Sequence, residues 1–163
     1  MLLSHGGRIV RENMSILSER LFKLRELYAE LQTGMSVSAI TLSGMPKYGQ
    51  NVRRQESIIL KSVEVRSRIA FNERQIKEYI DVLRFLPAKS IREGENKIRI
   101  LEMRYLTRQE WRCIAAKLYG NDSEYRENTC VRRCHRLHDA ACSEIWKYWE
   151  RVTEDAGKQP KPC

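Results

Sequence analysis

Leu17, Leu21, Leu24, Tyr28 and Leu31 follow one another at spacings of four, three, four and three, a rhythm that restricts this stretch to one kind of structure. Two apolar positions in every seven keep a single stripe of a helix buried along its length. Ser15 to Gln32 is therefore expected to be a helix lying lengthwise against another helix. Gln55 to Phe85 carries Ile58, Val65, Ile69, Ile76, Tyr79 and Leu83 in a similar seam that continues to Leu86. Asn72 interrupts it, and a polar residue at a seam position can fix register or oligomeric state. The two helices can close on each other as an antiparallel hairpin. They can equally pair with those of a second chain, giving a homodimer through residues 15–86. Leu86-Pro87 ends the second helix, because the residue before a proline is pushed out of the helical region.

With 163 residues and 42% hydrophobic content, the chain can bury one modest core or two small ones. Its net charge of +9 favours an anionic partner, for which nucleic acid is the commonest candidate. No apolar run approaches the roughly 20 residues that cross a bilayer, and Met1-Leu2-Leu3 is too short for a signal-peptide core. No membrane partner is expected, and the expected compartment is the cytoplasm. The cysteines at 113, 130, 134, 142 and 163 are odd in number and lack the framework of a small secreted domain, so they read as reduced thiols. Residues 1–14, with Gly6, Gly7, Arg8 and Arg11, read as a loose basic arm. A loop is expected over 33–51, where Gly34, Gly44, Pro46 and Gly49 surround Met35, Val37, Ile40 and Leu42. Lys47, Arg53 and Arg54 form a second basic cluster, for which a solvated face is the commoner role than phosphate contact.

Beyond a boundary at Pro87–Glu93, Arg92 to Tyr105 is expected to be a third helix with Ile98, Leu101 and Tyr105 inward. Thr107 can cap the next helix, and Glu110 three residues on completes a capping box, which starts that helix near Arg108. Trp111, Ile114, Ala115 and Leu118 lie on one face of it. Tyr119-Gly120-Asn121-Asp122-Ser123 should stop it. Asn128 or Thr129 is the expected cap of the last helix, along which Val131, Cys134, His138, Ala141 and Ile145 form an inward stripe. Arg132, Arg133 and Arg136 fall off that stripe, near the expected N-terminal end. A recognition helix presents side chains to the major groove from there, and arginine can pair two donors with guanine O6 and N7. Trp146, Tyr148 and Trp149 extend the helix with an aromatic group suited to sealing a core or a dimer contact.

Cys130, Cys134, His138 and Cys142 stand four residues apart, so neighbours share a face. Four ligands on one straight helix nevertheless cannot close a tetrahedron, since the outer two are about 18 Å apart. A zinc site would need Cys113 as well. Core packing is the simpler account of Cys134 and His138, and no cofactor is expected. The chain has no phosphate-binding glycine loop, no HExxH and no calcium loop. His5, His135 and His138 form no recognisable acid–base set, so an enzyme is not expected.

The run Leu101, Arg104-Tyr105, Trp111, Ile114-Ala115, Leu118, then Val131-Arg132-Arg133, Arg136 and Ala141 resembles the sigma-factor region 4 helix-turn-helix of phage transcriptional regulators. The layout is similar to the RinA/ArpU group of late-gene activators from phages of Gram-positive bacteria. The motif resemblance covers roughly the last 65 residues, and the N-terminal half agrees in layout alone. The resemblance implies an all-α chain with long N-terminal helices over 15–86, a trihelical helix-turn-helix domain over 90–152 and a flexible tail over 153–163. It implies a regulator of late genes in a bacterial host cell, with double-stranded DNA and RNA polymerase as partners. Asn128, Thr129, Arg132, Arg133 and Arg136 would contact the DNA. The connector 119–128 is longer than the tight turn usual in such motifs. If the last helix starts later, Cys134 and Leu137 take the core and His135 joins the DNA face. A phage small terminase subunit joins the same parts, with the DNA-binding part usually first. A protein-interaction module acting on RNA polymerase or a repressor would use the heptad helices alone.

Overall fold

The computed structural model of the chain describes residues 4–41, 48–88, 90–120 and 124–157. Every regular element among them is helical. The elements are α1 (His5–Thr41), α2 (Tyr48–Phe85), α3 (Ile91–Leu101), α4 (Trp111–Tyr119) and α5 (Glu124–Gly157), with a π-helical turn at Glu102–Leu106 directly after α3. None of these helices is long and apolar enough to cross a membrane. The chain divides into a unit of residues 1–18 and 75–163 and a unit of residues 19–74. The division falls inside α1 and inside α2. The boundary expected at Pro87–Glu93 is therefore not where the units part, because Ile76, Ile80, Val82 and Leu83 at the end of α2 belong to the first unit's buried set.

In the first unit, residues 5–14 are not a loose arm. Ser4 caps α1, its Oγ accepting from the Gly7 amide at 3.1 Å and its carbonyl from the Arg8 amide at 3.1 Å, which satisfies donors that a helix start leaves open. Gly6, Gly7, Val10 and Met14 then form a buried face. Gly6 is needed there because a Cβ would fall inside the Trp146 indole. Gly6, half of a pair that suggests flexibility, thus marks a close approach between α1 and α5. Ser4 and Ser143 hydroxyls meet at 3.2 Å, and the Ser18 hydroxyl donates to the Tyr105 carbonyl at 2.8 Å.

Ser90 caps α3 through its side chain, which accepts from the Glu93 amide at 3.2 Å. Ile100 and Leu101 are fully buried, and so is Lys97, whose ammonium meets Glu144 at 2.8 Å and Glu93 at 3.0 Å. Ile98, expected inward, is only half-buried. The π turn supplies the phase change: the Thr107 amide donates to the Glu102 carbonyl at 3.3 Å, and the turn keeps Tyr105 buried as well as Leu101. α2 stops at Phe85, just before Leu86-Pro87. Tyr79 meets Trp149 edge to face, with ring centroids 6.5 Å apart.

In the unit of residues 19–74, the Arg25 guanidinium of α1 reaches the Glu73 carboxylate of α2 at 2.7 Å, so the two helices lie side by side within one chain. The expected seams are its inward faces. Leu21 and Val65 are buried, and Leu24, Tyr28, Leu31, Ile58 and Ile69 are half-buried. Asn72 is buried at a seam position, with its side-chain amide donating to the Arg68 carbonyl at 2.8 Å. The loop expected over 33–51 is mostly helix, since α1 runs through Gly34 to Thr41 and α2 begins at Tyr48. The Thr33 hydroxyl turns back to the Ala29 carbonyl at 3.0 Å, and one helical glycine costs only about 1 kcal/mol. Gly44, Pro46 and Lys47 lie outside the described residues, as do the side chains of Met35, Val37, Ile40, Leu42 and Arg54.

Candidate nucleic-acid interface

The first unit places α4 and α5 around a small core of Ile100, Ile114, Ala115 and Cys134, with Met103, Trp111, Leu118, Tyr119, Cys130, Val131 and Leu137 packed against it. The face read for α4 is the one that is buried. The start of α4 is different. Thr107 does not cap it: its hydroxyl turns back to the Met103 carbonyl at 2.9 Å and accepts from the Gln109 side chain at 3.0 Å. Glu110 occupies the cap position with no side-chain hydrogen bond, and α4 begins at Trp111 rather than near Arg108. Arg108 lies between them at φ 51°, in the left-handed region that branched or bulky side chains rarely adopt. At the other end, Gly120 closes α4 at φ 83°, its amide donating to the Ala116 carbonyl at 2.8 Å. Residues 121–123 of the expected stop lie outside the described residues.

α5 starts at Glu124, so neither Asn128 nor Thr129 is its cap, and the connector is much shorter than 119–128. Both residues are inside the helix, and both are exposed. The inward stripe is as expected: Cys134, His138, Ala141 and Ile145 are buried and Val131 is half-buried. Cys142 joins the buried set and Leu137 packs at its edge. At about 100° per residue, Asn128, Thr129, Arg132, Arg133, His135 and Arg136 occupy an arc of roughly 160° opposite that stripe. All are exposed. The arginines stand two to three turns into α5, not at its start. A helix macrodipole acts within about the first turn, so the end of α5 gives them no help with phosphate.

Two of these side chains are held by aromatic rings from α4. The Arg133 guanidinium lies 5.2 Å from the centre of the Tyr119 ring. The His135 ring lies 4.1 Å from that of Trp111, and the Arg104 guanidinium lies 5.1 Å from the same indole. Arg104 also donates to the Gln109 carbonyl at 3.1 Å. Sequence reading did not assign Arg104 a place at the site. Its position seven residues before Trp111 in a basic segment is the one signal that could have found it. Among the described residues, Arg132 and Arg136 have neither an ion pair nor a ring partner, and they are the freest charges on the arc. Asp139 closes it, engaged with His138.

Behind the arc lies a buried polar chain. The Tyr105 hydroxyl meets His138 Nε2 at 2.9 Å, and His138 Nδ1 faces Asp139 Oδ1 at 3.1 Å. Asp139 can only accept, so these partners assign the proton to Nδ1 and leave Nε2 to accept from the tyrosine. Burial pushes the His138 pKa below the ordinary histidine value, against the opposing pull of Asp139. Burial also raises Cys142 to about 12 and Cys134 to about 11. These are unreactive thiols. Cys142 Sγ lies 3.9 Å from His138 Nε2, Cys130 is half-buried and Cys113 is exposed. Among the described residues no group of three or more His, Cys, Asp or Glu side chains stands close enough to hold a metal ion. The four-residue spacing of Cys130, Cys134, His138 and Cys142 is taken up by packing and by the tyrosine–histidine contact.

Set against family models, curated proteins and solved structures, the chain matches none of them.

Proposed function

We propose that the chain is a sequence-specific DNA-binding transcriptional regulator, of the phage or prophage late-gene kind that its motif resembles, with α4 and α5 as the two helices of the helix-turn-helix. The observation that carries this reading is the division of α5 into two faces. One face packs on α3 and α4, and the other presents Arg132, Arg133 and Arg136 beside Asn128, Thr129 and His135. Arginine and asparagine are the side chains that pair two bonds with guanine and adenine in the major groove. On this reading Arg132 and Arg136 read bases or phosphates directly, while Tyr119 and Trp111 set the poise of Arg133 and His135. The net charge of +9 supplies the non-specific attraction. The long helices are left for contacts with RNA polymerase or with another subunit.

The test is binding of purified protein to fragments of its own genomic neighbourhood at two salt concentrations. One fragment should be bound tightly and survive the higher salt. Arg132→Ala and Arg136→Ala should each weaken that complex by about tenfold or more, and Arg133→Ala by less. Equal binding to all fragments, abolished by salt, would reduce the arc to a solvated basic surface.

A further inference from the structure

Between Ile58 and Asn72, α2 carries two apolar faces. Ile58, Ser62, Val65, Ile69 and Asn72 make the inward one. Ile59, Leu60, Val63 and Phe71 make the other, with exposures of 47%, 71%, 62% and 59%. At about 100° per residue the second face stands close to 180° from the first. Single exposed apolar residues are ordinary, but an aligned set of large ones marks a contact surface. Ser67 and Ala70 fill the intervening positions of the same stripe, both exposed and both small. A second helix can therefore approach closely along its length.

We propose that the occupant is α2 of a second copy of this chain, docked antiparallel about a two-fold axis that passes near residues 65 and 66. An isologous contact must be complementary to itself, with residue i meeting j wherever j meets i. Setting Leu60 on Phe71 of the second copy sets Phe71 on its Leu60, and the small pair Ser67 and Ala70 fall between them. Charge agrees with the same register. Glu64 and Arg68 form an ion pair at 2.6 Å along one flank, and like flanks face each other across an antiparallel pair. Each Glu64 then comes beside Arg68 of the other copy, and two ion pairs become a ring of four alternating charges. Arg66, on the opposite flank, approaches its own copy across the axis and opposes the contact. The proposal stands apart from the DNA reading, since every residue in it belongs to the unit of residues 19–74.

Sedimentation equilibrium of the full chain tests it. A stripe about 18 Å long lies at the small end of specific interfaces, so a dimer with a dissociation constant on the order of micromolar is expected. Leu60→Glu with Phe71→Glu should make the protein monomeric at unchanged helix content by circular dichroism. Glu64→Arg should weaken the dimer, Glu64→Arg with Arg68→Glu should restore it, and Arg66→Ala should tighten it. A monomer at every concentration, a larger assembly, or a dimer indifferent to the glutamate pair would overturn the proposal. Should the glutamate pair lose helix content, the charge exchange decides, and its failure to restore the dimer overturns it.

Discussion

In the unit of residues 1–18 and 75–163, burial comes from several directions at once: Val10 and Met14 from α1, Ile76 and Ile80 from α2, Ile100 from α3, Ile114 from α4 and Ile145 from α5. In the unit of residues 19–74 two helices face each other along one stripe, where Leu21 and Val65 are the buried apolar side chains described. A core fed from five helices sequesters polar groups too, and each must find a partner there. Lys97 has Glu93 and Glu144, His138 has Tyr105 and Asp139, and Ser18 has the Tyr105 carbonyl. The two-helix stripe settles its polar groups locally, Ser62 and Asn72 each donating to a carbonyl of α2 itself, and among the described residues it leaves Ile59, Leu60, Val63 and Phe71 of α2 exposed. The sharpest test of this contrast is truncation. Ile114→Ala should lower unfolding free energy by roughly 3–4 kcal/mol, whereas Ile58→Ala, at a half-buried seam position, should cost about 1 kcal/mol. Urea denaturation of both variants measures the gap. Equal losses would mean that the two units are packed alike.

A smaller effect is expected where α1 meets α5 inside the first unit. Gly6→Ala drives a methyl into the Trp146 indole, and overpacking of this kind costs about 1–3 kcal/mol. Gly6→Ala combined with Trp146→Leu should recover part of that loss, which urea midpoints of the single and double variants would reveal. Additive losses would break the claim that these two residues share one contact.

Smaller again, because it concerns one proton, is the pH response of the same unit. His138 is held neutral with its pKa below the ordinary value, chiefly by burial. The unfolded chain therefore takes up a proton at a pH where the folded chain does not. Stability from this group is fully present above the unfolded value of about 6.5. It falls as pH drops through that value, by at most about 1.4 kcal/mol per pH unit, and levels off below the folded pKa. His138→Gln should flatten that part of a stability–pH profile, whatever it does to the midpoint at pH 8. An unchanged profile would show that His138 is not the group responsible.

Features carried by a repeating face were legible in the sequence. The seams of α1 and α2 and the inward stripes of α4 and α5 are where their spacing puts them, because a buried face leaves a period that survives in the residues. The stop at Gly120 was legible because it needs a positive φ. What depends on a single tertiary contact was not. Gly6 and Gly7 read as flexibility, yet at Gly6 the Trp146 indole fills the space of a side chain. Thr107 and Glu110 have the spacing of a capping box, yet the π turn before them claims the Thr107 hydroxyl first. Asn128 and Thr129 are good caps that sit inside a helix already begun at Glu124. For the candidate interface, the exposed arginines of α5 followed from the stripe opposite them. Their rings could not be read, since Tyr119 and Trp111 reach them from another helix.

The smallest expected effect belongs to the two-helix unit. Asn72 sits at a seam position with its amide tied to the Arg68 carbonyl of its own helix. That carbonyl gains little from the bond, being an acceptor that α2 already supplies with an amide, and a buried amide side chain carries a desolvation cost. Asn72→Leu should therefore stabilise the chain by about 1 kcal/mol or less, visible as a higher urea midpoint. A polar seam residue kept against its own energetic interest is one that limits how helices can slide past each other. The same variant should then show a broader set of amide resonances or a changed mass in sedimentation. A lower midpoint would instead make Asn72 a stabilising member of the stripe, and the two units would be less different than their burial suggests.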